Sequence, residues 1–327
     1  MFFIKIKAII KIISECIFDK NLFTYSILNR VFEKDLNNIY KNHEDLRKFA
    51  IVMQGPWIAE EQFTLETLKI YRQILPHETI IFSSTSILKK NEQILLSSLD
   101  IIYLFNDFPP NAGVSNSNFQ IITSFNGIKE AKKLGSEYIL KTRSDQRITN
   151  DYFRDFLFNL IDTFALETKS SKQKFRLVGF SLNTFKLRPY GLSDMFMFGH
   201  IDDMINYWCL SYDKRSNLDV KLEEGSTYKD FALNEICEVR FCTQYLRYLG
   251  LRLNFSISDS MKAFGKYFII IDQHALGIIW PKYSLNQNPY KNFGKHPEIS
   301  FNDWLMLYTK GDNLEYNEDL LNKKIGK

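Results

Sequence analysis

Short apolar runs alternate with amphipathic segments from about residue 50 of this chain. Residues 50–53, 78–83 and 100–104 are rich in Ile, Val and Phe, a pattern typical of buried strands. Residues 63–75 and 118–134 carry apolar side chains at helical spacing, and Gly135 ends the second of these helices. Strands separated by helices of this length predict an α/β fold with crossover connections in a mostly parallel sheet.

The second half of the chain has a less regular pattern. Strands are predicted at 175–180, 195–198 and 268–271, with a further candidate at 278–280. Helices are predicted at 202–210, 231–248 and 301–307. No repeat or linker divides the chain, so we expect a single domain over residues 49–315. The polar residues after Lys310 are expected to be loose, and residues 316–327 form a polar tail.

An amino-terminal arm, residues 1–48, precedes this domain. Lys5, Lys7 and Lys11 interrupt its apolar stretch, so the pattern favours neither a secretory signal nor a spanning helix of about 20 apolar residues. The isoleucines at 6, 9, 10, 13 and 17 fall at helical spacing. Two interpretations stay open, a basic amphipathic helix on an anionic membrane surface and a helix packed on the body of the protein.

Composition narrows the classes of partner. The chain is 45% hydrophobic and 24% charged, which is ordinary for a soluble globular protein. A net charge of +4 is far short of a nucleic-acid-binding signature, so no nucleic-acid partner is expected. The four cysteines form no CxxC pair and no zinc-type cluster, and a reducing cytoplasm is the expected compartment.

The densest group of polar residues follows an apolar run at 138–140, in a strand predicted over 137–147. It consists of Arg143, Ser144, Asp145, Gln146 and Arg147. In open α/β sheets, ligands bind beyond the carboxyl ends of the strands. A carboxylate there could hold a divalent cation, and arginines bind phosphate bidentately. The favoured interpretation is a substrate that carries phosphate, and the alternative is a set of surface ion pairs.

A second candidate follows the first strand, where Gln54, Gly55 and Pro56 form a strong turn signal. Glycine allows the backbone to approach a ligand closely, and the strand end lies on the binding edge of such a sheet. The motif is neither a GxGxxG sequence nor a P-loop, so it supports no dinucleotide or Walker site. An ordinary tight turn is the alternative.

Further candidates lie in the second half. Asp194 precedes an apolar strand and could act as a general base, or simply cap a turn. Glu235 and Glu238 are three residues apart in a predicted helix and could project together into a site, although such acids usually form a solvated face. His274 follows a strand and could be a metal ligand or a structural histidine, and Lys282 could contact phosphate.

Taken in order, these motifs resemble the WavE family of lipopolysaccharide-synthesis proteins. The specific parts are residues 51–56 (Ile-Val-Met-Gln-Gly-Pro) and 140–147 (Leu-Lys-Thr-Arg-Ser-Asp-Gln-Arg), supported by 63–68 and 276–282. The resemblance covers roughly residues 50–310. It implies a glycosyltransferase with a Rossmann-like, GT-A-type fold, in which a mixed, mostly parallel sheet is flanked by helices. Such an enzyme transfers sugar from a nucleotide-sugar donor to a lipopolysaccharide, capsular or other surface glycan.

The resemblance also implies roles for individual residues. Enzymes of the GT-A type usually hold a divalent metal through an Asp-x-Asp motif, and this chain has Ser144-Asp145-Gln146 with one carboxylate. Mn²⁺ or Mg²⁺ at Asp145 and His274 is one expectation, and neutralisation of the diphosphate by Arg143, Arg147 or Lys282 is the other. The proton-accepting role falls to Asp194 or Glu238. The donor-binding set is Gln54, Gly55, Pro56, Arg143, Ser144, Asp145, Gln146, Arg147 and Lys282.

The implied partners are a nucleotide sugar, a glycan or lipid-linked glycan acceptor, and the inner-membrane surface on which a cytoplasmic, membrane-peripheral enzyme would work. Two alternatives stay open. One is a nucleotidyl- or phosphotransferase acting on sugar phosphates, against which the missing glycine-rich pyrophosphorylase loop counts. The other is a non-catalytic scaffold of glycan assembly.

Overall fold

The fold is built on one seven-stranded sheet. The computed structural model describes residues 46–166, 172–220, 226–280 and 297–325. Every residue of the first strand is buried, so the sheet lies in the middle of the hydrophobic core. The strands are β1 (Phe49–Gln54), β2 (Thr79–Ser84), β3 (Ile101–Phe105), β4 (Tyr138–Arg143), β5 (Leu177–Phe180), β6 (Met197–His200) and β7 (Phe268–Ile271).

The strand order is β3-β2-β1-β4-β6-β5-β7. All paired strands run parallel except for β6, which is antiparallel to both β4 and β5. The prediction of a mixed, mostly parallel sheet flanked by helices is therefore confirmed. The order reverses between β1 and β4, and a crevice at such a switch point is where open α/β sheets bind ligands.

Helices cover both faces of the sheet. The helices in the described residues are α1 (Phe63–Ile74), α2 (Lys90–Ser98), α3 (Ser117–Lys133), α4 (Phe153–Thr163), α5 (Ile201–Trp208), α6 (Tyr228–Leu233), α7 (Glu238–Tyr248), α8 (Ile257–Tyr267) and α9 (Phe301–Lys310). On one face Tyr71 of α1 and Phe153 of α4 pack their rings together, 6.1 Å apart between centroids. On the other face α3 packs on β1 and β2, and α5 lies between α3 and α7.

The prediction of one continuous helix over residues 231–248 is wrong. The chain forms two helices there, α6 and α7, separated by a turn in which Glu235 and Cys237 have φ angles of 45° and 36°. Positive φ is unfavourable for residues other than glycine, and such strained turns often occur at functional sites. Hydrophobic periodicity continues across the turn, which is why the pattern alone does not reveal it.

Two other predicted elements are shorter than expected. The strand predicted over 137–147 ends at Arg143, because a turn follows in which the Gln146 N–H bonds the Arg143 carbonyl. The strand predicted at 278–280 is reduced to one antiparallel bridge between Ile279 and Arg147. This bridge holds the chain after the turn against the chain that follows β7.

The expectation of a loose tail after Lys310 is wrong for residues 311–325. The carboxylate of Glu318 accepts hydrogen bonds from the Ile257 and Ser258 N–H groups, both 2.8 Å, at the start of α8. Leu321 is buried, and Lys324 forms a bridge with Thr227. The amino-terminal arm lies outside the described residues, apart from its last three. Among the helices of the described ranges, none combines the length and apolarity needed to cross a bilayer.

Candidate active site

The carboxyl end of β4 carries alternate side chains to opposite faces of the sheet. Lys141 and Arg143 pair in register with Val52 and Gln54 of the parallel strand β1, so the four side chains share the face covered by α3. On this face the Oε1 atom of Gln54 accepts a hydrogen bond from Thr123 of α3, at 3.0 Å. Sequence alternation in β4 thus directs Lys141 and Arg143 toward one layer of helices.

The two motifs predicted to bind donor meet at the switch point. The Ser144 N–H donates to the Gln54 carbonyl at 2.9 Å, which extends the contact between β1 and β4 by one residue. Gly55 has a φ of 129°, and a Cβ atom there would lie 2.5 Å from Ser144 Oγ. Only glycine fits, both for its conformation and for its space. Pro56 is exposed just beyond the turn.

Arg143 and Asp145 form a bidentate ion pair. Arg143 Nε lies 2.9 Å from Asp145 Oδ1, and Arg143 Nη2 lies 2.8 Å from Asp145 Oδ2. Trp280 Nε1 also donates to Asp145 Oδ2, at 3.3 Å. Burial opposes the charge of Arg143, but the hydrogen bonds and charge of Asp145 outweigh it and raise the pKa of the guanidinium. A fixed cation therefore lies at the strand end, with its planar group held in one orientation.

Arg147 is directed away from this pair and toward helix α1. Its Nε donates to Thr67 Oγ1 at 3.0 Å, and its guanidinium carbon lies 4.6 Å from the ring centroid of Phe63. Its backbone pairs with Ile279. These contacts favour a structural role, in which Arg147 fastens the turn after β4 to α1.

Gln146 and Ser144 are almost fully buried at the same turn. Neither amide atom of Gln146 nor the Ser144 hydroxyl has a hydrogen-bond partner within the described part of the chain. The turn therefore buries polar groups at the strand end, next to the Arg143–Asp145 ion pair.

Lys141 is a further polar residue of β4 that is absent from the predicted site. Its side chain is completely buried, its ammonium donates to the main-chain oxygen of Asp194, and it lies 4.6 Å from the ring centroid of Trp208. Burial lowers the pKa of Lys141 to about 7, although the charge of Asp194 acts in the opposite direction. A lysine directly after the apolar run 138–140, inside the predicted strand, is the signal that could have identified it.

Asp194 and Glu238, the two predicted proton-accepting residues, come together beside Lys141. A carboxylate oxygen of Asp194, a carboxylate oxygen of Glu238 and the Sγ atom of Cys237 all lie within 4.8 Å of one another. We call these three residues the acid cluster. The Cys237 thiol donates to Asp194 Oδ2 at 3.7 Å. Burial, reinforced by the two carboxylates, raises the pKa of Cys237 well above its usual value, so it remains a thiol at neutral pH.

Burial also raises the pKa of Glu238, and the neighbouring Asp194 contributes in the same direction. Asn183 and Arg188, in the loop between β5 and β6, act against this shift. Asn183 Nδ2 donates to Glu238 Oε1 at 2.5 Å, and Arg188 Nη1 lies 3.8 Å from Glu238 Oε2. Neither residue is part of the site predicted from the sequence, because Asn183 lies in a loop 55 positions away from Glu238 and no sequence pattern links the two.

The remaining candidates lie elsewhere. Glu235 does not join Glu238 in the acid cluster, because it lies in the strained turn and Glu238 begins α7. The Glu235 carboxylate accepts a hydrogen bond from Arg247 on α7. His274 is exposed on a short 3-10 helix, residues 273–276. Lys282 lies outside the described residues, so its donor role stays a prediction.

The side-chain atoms near β4 that could bind a metal do not match the preferences of Mg²⁺ or Mn²⁺, because both ions favour several oxygen ligands. Both oxygens of Asp145 already accept N–H donors from Arg143. The acid cluster includes a protonated thiol and is flanked by the cationic Arg188. Within the described residues, His274 and Asp145 belong to no group of three metal-ligating side chains. A metal at Asp145 and His274 stays a prediction.

Comparisons with known proteins give a family and several distant structural likenesses. The model of a family described as WavE lipopolysaccharide synthesis matches residues 49–323. No curated protein sequence matches the chain. Solved structures that resemble it include a glycosyltransferase involved in the glycosylation of the major capsid of PBCV-1, with 12% identity and a TM-score of 0.28, covering 50% of this chain and 65% of that one.

Two other solved structures show similar values. A mannose-1-phosphate geranyltransferase from Thermus thermophilus has 13% identity and a TM-score of 0.28, over 52% of this chain and 69% of that one. Mouse xyloside xylosyltransferase 1 in its apo form has 12% identity and a TM-score of 0.27, over 48% of this chain and 67% of that one.

Proposed function

Because this chain belongs to the WavE lipopolysaccharide synthesis family, we propose that it is a glycosyltransferase that uses a nucleotide-sugar donor and extends a lipopolysaccharide or related surface glycan. Its lipid-linked or glycan acceptor would be presented at the inner-membrane surface, where the enzyme works from the cytoplasmic side. The fold supports this proposal, since the strand order reverses between β1 and β4, and open α/β sheets bind ligands at such a switch point.

One observation carries the proposal. Asp194 and Glu238 are far apart in the sequence, and the fold brings them together in the acid cluster. Lys141 joins that cluster to β4, two residues before the Arg143–Asp145 ion pair. A cationic group suited to phosphate thus lies on β4, and the charge of the buried Asp194 acts on it. Asp194 and Glu238 reach this place from other elements and are suited to proton transfer.

Donor binding is assigned to the carboxyl ends of β1 and β4. The diphosphate would lie against Arg143, whose charge is secured by Asp145, and against the backbone of the turn at Gly55. Charge builds up on the diphosphate as the bond to the sugar breaks, and a cation held in advance stabilises that charge. The buried side chains of Ser144 and Gln146 pack beneath the surface of this turn, and Arg147 holds the turn to α1 through Thr67.

The transfer step is assigned to Glu238, with Asp194 beside it. The Glu238 carboxylate takes the proton of an acceptor hydroxyl, the acceptor oxygen forms the new bond to C1 of the sugar, and the C1–O bond to the diphosphate breaks. The nucleoside diphosphate leaves with the electron pair. A raised pKa makes Glu238 a stronger base near neutral pH than an ordinary glutamate. No step in this sequence requires a metal ion, and dependence on Mn²⁺ or Mg²⁺ is tested separately by activity with a chelator.

The proposal is tested by incubating the protein with a panel of nucleotide sugars and a glycan acceptor, and by analysing the released nucleotide. A glycosyltransferase releases nucleoside diphosphate or monophosphate, and Glu238→Gln should suppress the release. Pyrophosphate as the product would indicate a nucleotidyltransferase instead. If no nucleotide is released and none raises the melting temperature, the scaffold interpretation replaces ours, because any ligand that binds only the native state must stabilise it.

A further inference from the structure

We infer that Asn183 and Arg188 are positioning residues for Glu238, which fix the direction of its carboxylate within the acid cluster. This inference rests on the proposed function for the role of Glu238 in transfer. The contacts themselves are independent of that role and can be measured without it.

Asn183 contacts Glu238 directly and is itself held on several sides. Its Nδ2 donates to Glu238 Oε1 at 2.5 Å, while its own N–H donates to Glu298 Oε1 at 2.8 Å. Its φ of 67° lies in the left-handed region, which asparagine tolerates better than most residues. The backbone conformation and the Glu298 contact therefore aim the amide of Asn183 at one oxygen of Glu238.

Arg188 completes the arrangement from the same loop. It is buried, with its guanidinium donating to the main-chain oxygen of Asn183 and, at 3.3 Å, to Asn183 Oδ1. With its Oδ1 bound to Arg188, the Asn183 amide has its Nδ2 free to face Glu238, so the arginine sets the orientation of the amide. Arg188 Nη1 also lies 3.8 Å from Glu238 Oε2, the oxygen that Asn183 does not bond.

The strained turn before α7 supplies the third constraint. Cys237, with its φ of 36°, places Glu238 as the first residue of α7 and directs it inward, while Glu235 points to Arg247. Backbone strain of this kind persists only where the surroundings enforce it. The charged and titratable groups that face Glu238 are Arg188, Asp194, Cys237 and Tyr207.

The test uses Asn183→Gly in the full-length protein. Glycine adopts the same left-handed backbone without strain, so the variant removes the amide and little else. Asn116→Gly is the matched control, because Asn116 is exposed and has a φ of 61°. The wild type and both variants are labelled with ¹³C at the side-chain carboxyl carbon of their glutamate residues and titrated by NMR over about pH 4 to 9. The signal of Glu238 is assigned as the one missing in Glu238→Gln.

We expect Asn183→Gly to move the Glu238 titration to higher pH, which corresponds to a roughly tenfold to hundredfold smaller acid dissociation constant. Asn116→Gly should leave the titration in place. The comparison is between variants measured under the same conditions, so it does not depend on the absolute midpoint of the Glu238 titration. Arg188→Lys keeps the positive charge but loses the paired hydrogen bonds from the guanidinium to Asn183. In a variant whose melting temperature shows that it is folded, the titration should shift in the same direction.

An unchanged titration in a folded Asn183→Gly protein overturns the inference. If the titration shifts, the acidic limb of the kcat/KM profile should shift with it, while the KM for the donor stays constant. A shifted titration in a protein that transfers no sugar leaves the positioning role intact and rejects the proposed function instead. The two failures are therefore distinguishable.

Discussion

The ammonium group of Lys141 donates a hydrogen bond to the main-chain oxygen of Asp194, which joins the buried face of β4 to the acid cluster. The contact places a titratable cation that is fully buried away from bulk solvent. Such a group makes the stability of the fold depend on pH.

The first prediction concerns Lys141→Met. The pKa of Lys141 is lowered to about 7 in the folded chain from 10.5 when unfolded, so between these values the unfolded chain binds more protons. Stability therefore rises with pH across this window and is lost as pH falls toward 7, by up to about 1.4 kcal/mol per pH unit. Methionine should remove this slope, as measured by urea unfolding at several pH values.

Lys129→Met is the matched control for the loss of one positive charge, because Lys129 also lies over a ring, at 5.3 Å from the centroid of Phe125, but is exposed. Parallel pH profiles for the wild type and Lys141→Met would show that the buried lysine does not titrate in this range.

The second prediction separates Glu238 from Glu235. Glu238→Gln should reduce kcat by roughly a hundredfold to ten-thousandfold, the usual contribution of a positioned acid or base. Glu235→Gln should stay within a few-fold of the wild type, since its carboxylate is bound to Arg247 outside the acid cluster. Rates measured at saturating donor distinguish them, and equal losses in both variants would contradict the assignment.

The third prediction concerns Arg143→Lys. Lysine keeps the charge but cannot form both hydrogen bonds to Asp145, so we expect the Kd for nucleoside diphosphate to rise about tenfold or more. Arg47→Lys is the matched control, because Arg47 makes a similar bidentate pair with Asp162 at 2.8 and 3.0 Å near the surface. Calorimetric titration compares the two, and equal affinities would remove Arg143 from the donor site.

The fourth prediction concerns Gly55. Gly55→Ala should destabilise the fold by about 1–3 kcal/mol or more, because alanine must adopt a φ of 129° and meets Ser144 Oγ at 2.5 Å. Gly135→Ala is the control for the cost of a positive φ without a clash, because Gly135 has a φ of 85° and a Cβ atom there would have no neighbour within 4 Å. Ser144→Ala should partly rescue Gly55→Ala in urea unfolding, because it removes the clashing hydroxyl. No rescue would mean that the backbone conformation carries the whole effect.

The sequence predicts the first half of the fold well because each strand there is a short apolar run between clear turn signals. Residues 118–134 illustrate this, since the observed helix α3 is displaced by only one residue. The prediction is wrong at residues 234–237, where the apolar period continues through a turn whose backbone angles no periodicity reveals.

The candidate site is only partly predictable for the same reason. Asp194 and Glu238 are recognisable as acids next to apolar segments, but their proximity depends on the order of β4, β6 and β5, which is a tertiary property. Asn183 and Arg188 are ordinary loop residues until the fold places them beside Glu238. The role of Arg147 is also decided by packing, since only the position of α1 shows what its guanidinium contacts.

The reversed direction of β6 brings the loop between β5 and β6 to the edge of the sheet where β4 ends. A strand that runs antiparallel to β4 begins at that edge, so Asp194 reaches it just before β6. The same loop carries Tyr190, which is fully buried in the core, and Asn183 and Arg188, which contact Glu238. One segment therefore links the packing of the core to the orientation of Glu238, so a change within residues 183–193 affects both together.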